Sequence, residues 1–289
     1  MCVQFFKKSS LGLPAAFRLR RVMLGACLLI PTGACKRSPP HASQAPAPAQ
    51  SVASSRPLRV AAASDLEPAF SAVGALFQTQ HHRPVVFSFA GSMALSQQIE
   101  HGAPFDLYAA ASQHHVDTLV KKGRIDPASV VPYARGALVL WTRPVPPGSP
   151  HDALSVPLPA RIDDLTQPQY RRIALANPDH APYGVAAMQT LHSAGVYDAL
   201  QARLVFGENI RQAHQFVATG NADVVLDALS LAVAAGSAYT RVPQALYAPL
   251  VQALGYVRGG DAEGAAAFAA LLRSDEGQRV LGRFGFTPP

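Results

Sequence analysis

Cysteine is nearly missing from this chain of 289 residues, which has only Cys2, Cys27 and Cys35. Two of the three fall in or before an apolar leader. The body that follows keeps a single thiol, which excludes an intrachain disulfide or a thiolate metal cage. Acidic residues are absent before Pro57, whereas eight basic ones lie there, so the rest of the chain balances at 17 basic to 18 acidic. The formal charge of +7 therefore belongs to the leader and not to a nucleic-acid surface, and no nucleic-acid partner is expected. The longest early apolar run, Val22 to Ile30, is too short to cross a bilayer. No G-x-S-x-G occurs, so a hydrolase nucleophile elbow is missing. The ten histidines include the neighbours His81-His82 and His114-His115, which diverge rather than converge on one ion, so no cation site is expected.

What is present at the N-terminus reads as a secretory signal over residues 1–34, with Arg18, Arg20 and Arg21 ahead of the apolar core. Thr32-Gly33-Ala34 before Cys35 looks like a lipoprotein cleavage site, although Thr32 stands where leucine is usual. Lipidation of Cys35, and with it a membrane anchor, is the expectation; plain cleavage to a free periplasmic product is the alternative. Residues 35–57 are rich in Pro, Ala and Ser without apolar periodicity and read as a disordered tether.

The body is organised around Leu58 to Glu67. A short, mostly apolar run through Ala63 reads as a buried parallel strand, and Leu66, Ala69, Phe70, Val73, Leu76 and Phe77 follow at helical spacing. Ser64 at the junction is a candidate N-cap, which leaves unpaired helix-initial amides beyond the strand, a natural anion site. The design repeats. Pro84 to Phe89 reads as a strand, Gly91 allows close approach, and Ser92 opens a helix to Gly102. Asp106 to Ala110 is a third strand, with a helix over Gln113 to Lys122. This alternation predicts a doubly wound α/β sheet with ligands beyond the carboxyl ends of its strands.

The stretches Ala61 to Leu66 (AAASDL) and Phe89 to Tyr108 (FAGSMALSQQIEHGAPFDLY) resemble the periplasmic molybdate-binding proteins of ABC importers, as does Asn177 to Gly184 (NPDHAPYG) further on. The resemblance runs from about Leu58 to Phe286. It implies a two-lobed, hinged periplasmic-binding-protein fold of the class II type, each lobe a doubly wound sheet flanked by helices. The expected division is 58–139 for lobe 1, 140–234 for lobe 2, after the strand Ala137 to Thr142 reaches the Pro-rich run, and 235–289 for the return. It also implies an oxyanion held by Ser64, Asp65, Ser92, Tyr183 and the amide of Ile210, with the Tyr183 hydroxyl reaching into the cleft. Ala228 stands where members lacking that tyrosine often carry one. Asp65, beside an anion, is expected to offer its amide while its carboxylate caps the helix and points away. Asp227 interrupts an apolar strand and could face either the cleft or a structural partner.

None of these five residues is basic, so the site would hold molybdate or tungstate with neutral donors. Sulfate, phosphate or a small organic acid is the alternative, with Asp65 or Asp227 able to accept from a protonated phosphate. The implied protein is a monomeric carrier without cofactor or catalysis, working with a membrane permease and its ATPase. A Ser64 or Ser92 dyad with His180 is the enzyme reading weighed against it.

Overall fold

The computed structural model describes residues 56–144 and 156–289. The expected signal, Cys35 and all but the last two residues of the expected tether lie outside them. Two five-stranded sheets result, both within one compact unit.

The first sheet has β1 (Leu58–Ala63), β2 (Val85–Ala90), β3 (Leu107–Ala110), β4 (Val131–Gly136) and β10 (Leu250–Tyr256) in the order β2-β1-β3-β10-β4. Its first three strands run parallel, and β10 lies antiparallel between β3 and β4. The second sheet repeats the plan with β5 (Leu138–Trp141), β6 (Ile173–Ala176), β7 (Leu204–Gly207), β8 (Val224–Ala228) and β9 (Tyr239–Arg241), in the order β7-β6-β8-β5-β9. Every residue of β3, β5, β6 and β8 is buried, as continuous apolar strands covered on both faces require.

Helices close the faces. They are α1 (Glu67–His81), α2 (Ser92–Glu100) and α3 (Gln113–Lys121) after the first three strands, then α4 (Pro182–Ser193), α5 (Tyr197–Leu200), α6 (Ile210–Ala218) and α7 (Leu229–Ala234). Two more, α8 (Ala262–Arg273) and α9 (Asp275–Arg283), close the chain. Phe70 and Phe77 of α1 meet Phe268 of α8 with ring centroids 5.8 and 5.5 Å apart. That cluster locks the returning C-terminal segment onto the first sheet.

The chain passes between sheets twice. Only Ala137 separates β4 from β5, and the return falls between β9 and β10. Leu138 and Val139, which the sequence division gives to the first lobe, pair with Ala228 and Asp227 in the second sheet. Tyr239–Arg241, placed by that division in the return, pair with β5. The composition shift at the Pro-rich run comes after the crossing strand, so it marks the boundary late.

The serine caps are corrected. Ser64 begins a 3-10 turn, Ser64–Leu66, that runs into α1, and Ala63 takes the cap position without a side-chain bond. Ser92 is the first residue of α2 after Gly91. Neither hydroxyl is spent on its own helix, and both remain available.

Candidate functional site

Five corners meet where the two sheets face each other. From the first sheet come Ala63, Ser64 and Asp65 after β1, Gly91 and Ser92 after β2, and Ala111 after β3. From the second come Ala181, Pro182 and Tyr183 at the start of α4, and Asn209 and Ile210 at the start of α6. Together they wall a small cavity of about 10 Å³. All five residues read from the sequence as ligand-binding line it, although they span almost 150 positions of the chain.

Helix-initial amides have no intrahelical acceptor. Those of Ser64, Ser92, Tyr183 and Ile210 find no other acceptor among the described residues, whereas the Asp65 amide faces its own carboxylate. Asn209 caps α6 by accepting from Gln212 N at 3.1 Å, which leaves the Ile210 amide free. The Ser92 hydroxyl accepts from Ala111 N at 3.2 Å, so its own proton is free to donate. Tyr108 fixes the same corner by donating to Ser92 O at 2.6 Å. At Gly91 the halves nearly touch. A Cβ there would lie 3.4 Å from Asn209 Cβ and 3.5 Å from Glu208 O, so a larger side chain props the sheets apart.

Asp65 does not cap α1. Its side chain, 1% exposed, turns into the seam between the sheets, where Gln252 Nε2 donates to Oδ2 at 2.5 Å. Tyr133 donates to Gln252 Oε1 at 2.9 Å, and Ser230 of the second half donates to Asp65 O at 2.7 Å. Burial pushes this carboxyl up to about 6, and donation from Gln252 offsets only part of the cost. The Tyr183 hydroxyl lies in the same seam. It is buried without a hydrogen bond among the described residues, faces Asp65, and sits 2.2 Å from where a Cβ on Gly136 would be. Its backbone amide is thus the free donor at this corner, while the hydroxyl serves the seam. Sequence reasoning missed Gln252 and Tyr133; no local signal marks residues 187 and 68 positions from Asp65 as its neighbours.

Asp227 takes the structural option. It is fully buried, accepts from His214 Nδ1 at 2.6 Å and from Ala228 N at 2.8 Å, and does not line the cavity. His214 in turn stacks on Trp141, with centroids 4.2 Å apart. Neither Ser64 nor Ser92 bonds to a histidine among the described residues, so the dyad with His180 is not formed. Nor does any group of three potential cation ligands occur among the described residues.

A larger cleft of about 690 Å³ shares Ala111, Ala181 and Pro182 with the small cavity and so lies beside it. His114, His115 and His180 line this cleft. Burial and the neighbouring His114 push His115 down to about 4, so it is neutral near pH 7. Lys122, also on the wall, is paired to Glu100 at 2.6 Å.

The chain matches the family model described as bacterial extracellular solute-binding protein over residues 58–287. It is 34% identical over 230 residues to the molybdate-binding protein ModA of Rhodobacter capsulatus, covering 78% of this chain and 85% of that one. A Bacillus subtilis protein provisionally named an ABC transporter substrate-binding lipoprotein is 26% identical, covering 80% and 86%. Among solved structures, the periplasmic molybdate-binding protein of Azotobacter vinelandii superposes with a TM-score of 0.69 at 29% identity, covering 80% of this chain and 99% of that one. With the two-sheet architecture and the paired helix-initial corners, this chain belongs to the bacterial extracellular solute-binding protein family.

Proposed function

We propose that the chain captures the tetrahedral dianion molybdate between its two halves and hands it to an ABC importer. One observation carries this reading. Four unpaired helix-initial amides drawn from both sheets, and two serine hydroxyls from the first, converge on one cavity with no lysine or arginine on its wall among the described residues. The relatives named for molybdate agree with it.

Each hydrogen bond to a charged oxygen contributes about 1.5–3 kcal/mol. Helix N-termini add about 0.3–1 kcal/mol each, more where partly buried. Several such contacts exceed the cost of association and hold a dianion without a counter-charge. Ser64, Asp65 and Ser92 hold the guest from the first half, and the amides of Tyr183 and Ile210 hold it from the second. The guest therefore stabilises the closed arrangement by contacts that only this arrangement offers.

The protein is a carrier: no bond of the guest is made or broken. Its partners are the membrane permease and ATPase of the importer. We place it in the periplasm as a monomer, anchored through Cys35, with tungstate accepted alongside molybdate. Calorimetric titration of the purified chain with molybdate, tungstate, sulfate, phosphate and a divalent cation tests the reading. Tight binding of the first two, with sulfate and phosphate at least a hundredfold weaker, is expected. Preference for sulfate or phosphate, or a response to the cation alone, would overturn it.

A further inference from the structure

Among the described residues the interlobe cavity has no cationic wall, whereas a second pocket has three arginines. It lies at the opposite end of the first sheet, where β1 and β3 begin and β10 ends, and measures about 220 Å³. Arg59, Arg124 and Arg258 line it, with the backbone of residues 102–105 and 257–260. The carboxylates nearby are already committed. Asp106, 0% exposed, takes both guanidinium nitrogens of Arg56 at 2.8 and 2.9 Å and the amides of Arg59 and Asp261 at 2.8 and 3.0 Å. Burial alone would raise this carboxyl, but those donors overcome it and hold it at about 2, so it stays ionised and saturated. Asp261 is paired to Arg83 at 2.7 Å and Glu100 to Lys122 at 2.6 Å.

The arginines retain donors. Arg59 Nε is buried with no acceptor among the described residues, and its guanidinium reaches Asp106 only at 3.5 Å. Arg124 and Arg258 are held side by side through Arg258 N to Arg124 O at 2.8 Å, yet neither lies within 4 Å of a carboxylate among the described residues. Positive charge is therefore concentrated around a concave space with too few internal partners.

We propose that this pocket is a second anion site, distinct from the interlobe cavity, in which Arg59, Arg124 and Arg258 take a phosphate group. A phosphate presents oxygens in several directions and matches guanidinium forks arriving from strand β1 and two loops, whereas a carboxylate presents two oxygens in one plane. Inorganic phosphate and a phospholipid headgroup share this chemistry. The headgroup is included because the chain enters the described body beside the pocket, at Arg56.

The test uses the full chain saturated with molybdate, so that the interlobe cavity is closed to a second oxyanion. At low ionic strength it is titrated calorimetrically with inorganic phosphate, and in parallel co-sedimented with phosphatidylglycerol or phosphatidylcholine vesicles. Binding of phosphate, or of the anionic vesicles over the zwitterionic ones, is expected and identifies the source. Arg124→Gln with Arg258→Gln should weaken it by about tenfold or more, and added salt should weaken it further. Molybdate affinity should stay unchanged, which also verifies folding; Arg258→Gln alone serves if the double variant fails to fold. No binding of phosphate or anionic vesicles by the unaltered chain, or equal binding by the variant, would overturn the site.

Discussion

The two halves offer the same architecture to the guest but not the same chemistry. At the corners of the first sheet stand Ser64 and Ser92, each with a free hydroxyl proton and a free amide. At the corners of the second stand Tyr183 and Ile210, whose exposed donors are backbone alone, since the tyrosine hydroxyl is turned into the seam. On the proposed reading the difference assigns unequal tasks: the first half supplies most of the grip, and the second completes the enclosure.

The sharpest way to break this comparison is to delete both hydroxyls. Ser64→Ala with Ser92→Ala removes two bonds to a charged oxygen, about 1.5–3 kcal/mol each. Molybdate affinity should fall by more than about a hundredfold while the melting temperature of the unliganded protein moves little. A loss below tenfold by calorimetry would show that the amides alone carry the grip. The next effect concerns Asp65. Its folded value, about 6, stands above the ordinary 3.8, so the folded state holds this proton more tightly than the unfolded chain. The stability it contributes is fully present below about pH 3.8 and is lost as pH rises through 6, about 3 kcal/mol in all. Thermal melts from pH 4 to 7.5 should show that decline, and Asp65→Asn should flatten it; parallel curves would mean the carboxyl ionises without penalty.

Tyr183→Phe isolates the asymmetry itself. With the hydroxyl serving the seam, molybdate affinity should change by no more than about threefold, under 1 kcal/mol. A drop of tenfold or more would return the hydroxyl to the guest and make the halves equivalent. The smallest effect belongs to the exposed ion pair between Arg211 Nε and Glu67 Oε2, 2.8 Å across the two halves. Arg211→Ala should cost less than about 1 kcal/mol of closure, seen as an affinity change under fivefold that shrinks in high salt.

Much of this arrangement was legible before any coordinates. Apolar runs such as Val60–Ala63 and Ile173–Ala176 meet serine, proline or asparagine at a strand end, and that local pattern locates four of the corners. The strands β4 and β9 escaped. The segment Val131–Gly136 carries Pro132 and Arg135 at a sheet edge, where proline is tolerated and alternation is poor. The direction of side chains escaped as well. Asp65 was expected to cap its helix because acidic residues favour a first turn, but Gln252 and Tyr133, brought in by β10 and β4, offer it a buried partner instead. Asp227 was ambiguous for the same reason, until His214 of α6 came to rest against it. Nonlocal pairing decides such cases, and one sequence does not display it.

The absence of a charged clamp has a consequence for unloading. Forces from helix ends fade within about a turn, so parting the halves by a few ångströms strips the cargo of every contact made by one side. No proton need move and no ion need exchange for the grip to fail. An importer that prises the halves open thereby converts a tight holder into a poor one in a single mechanical step, and the cargo leaves from a surface that has nothing with which to call it back.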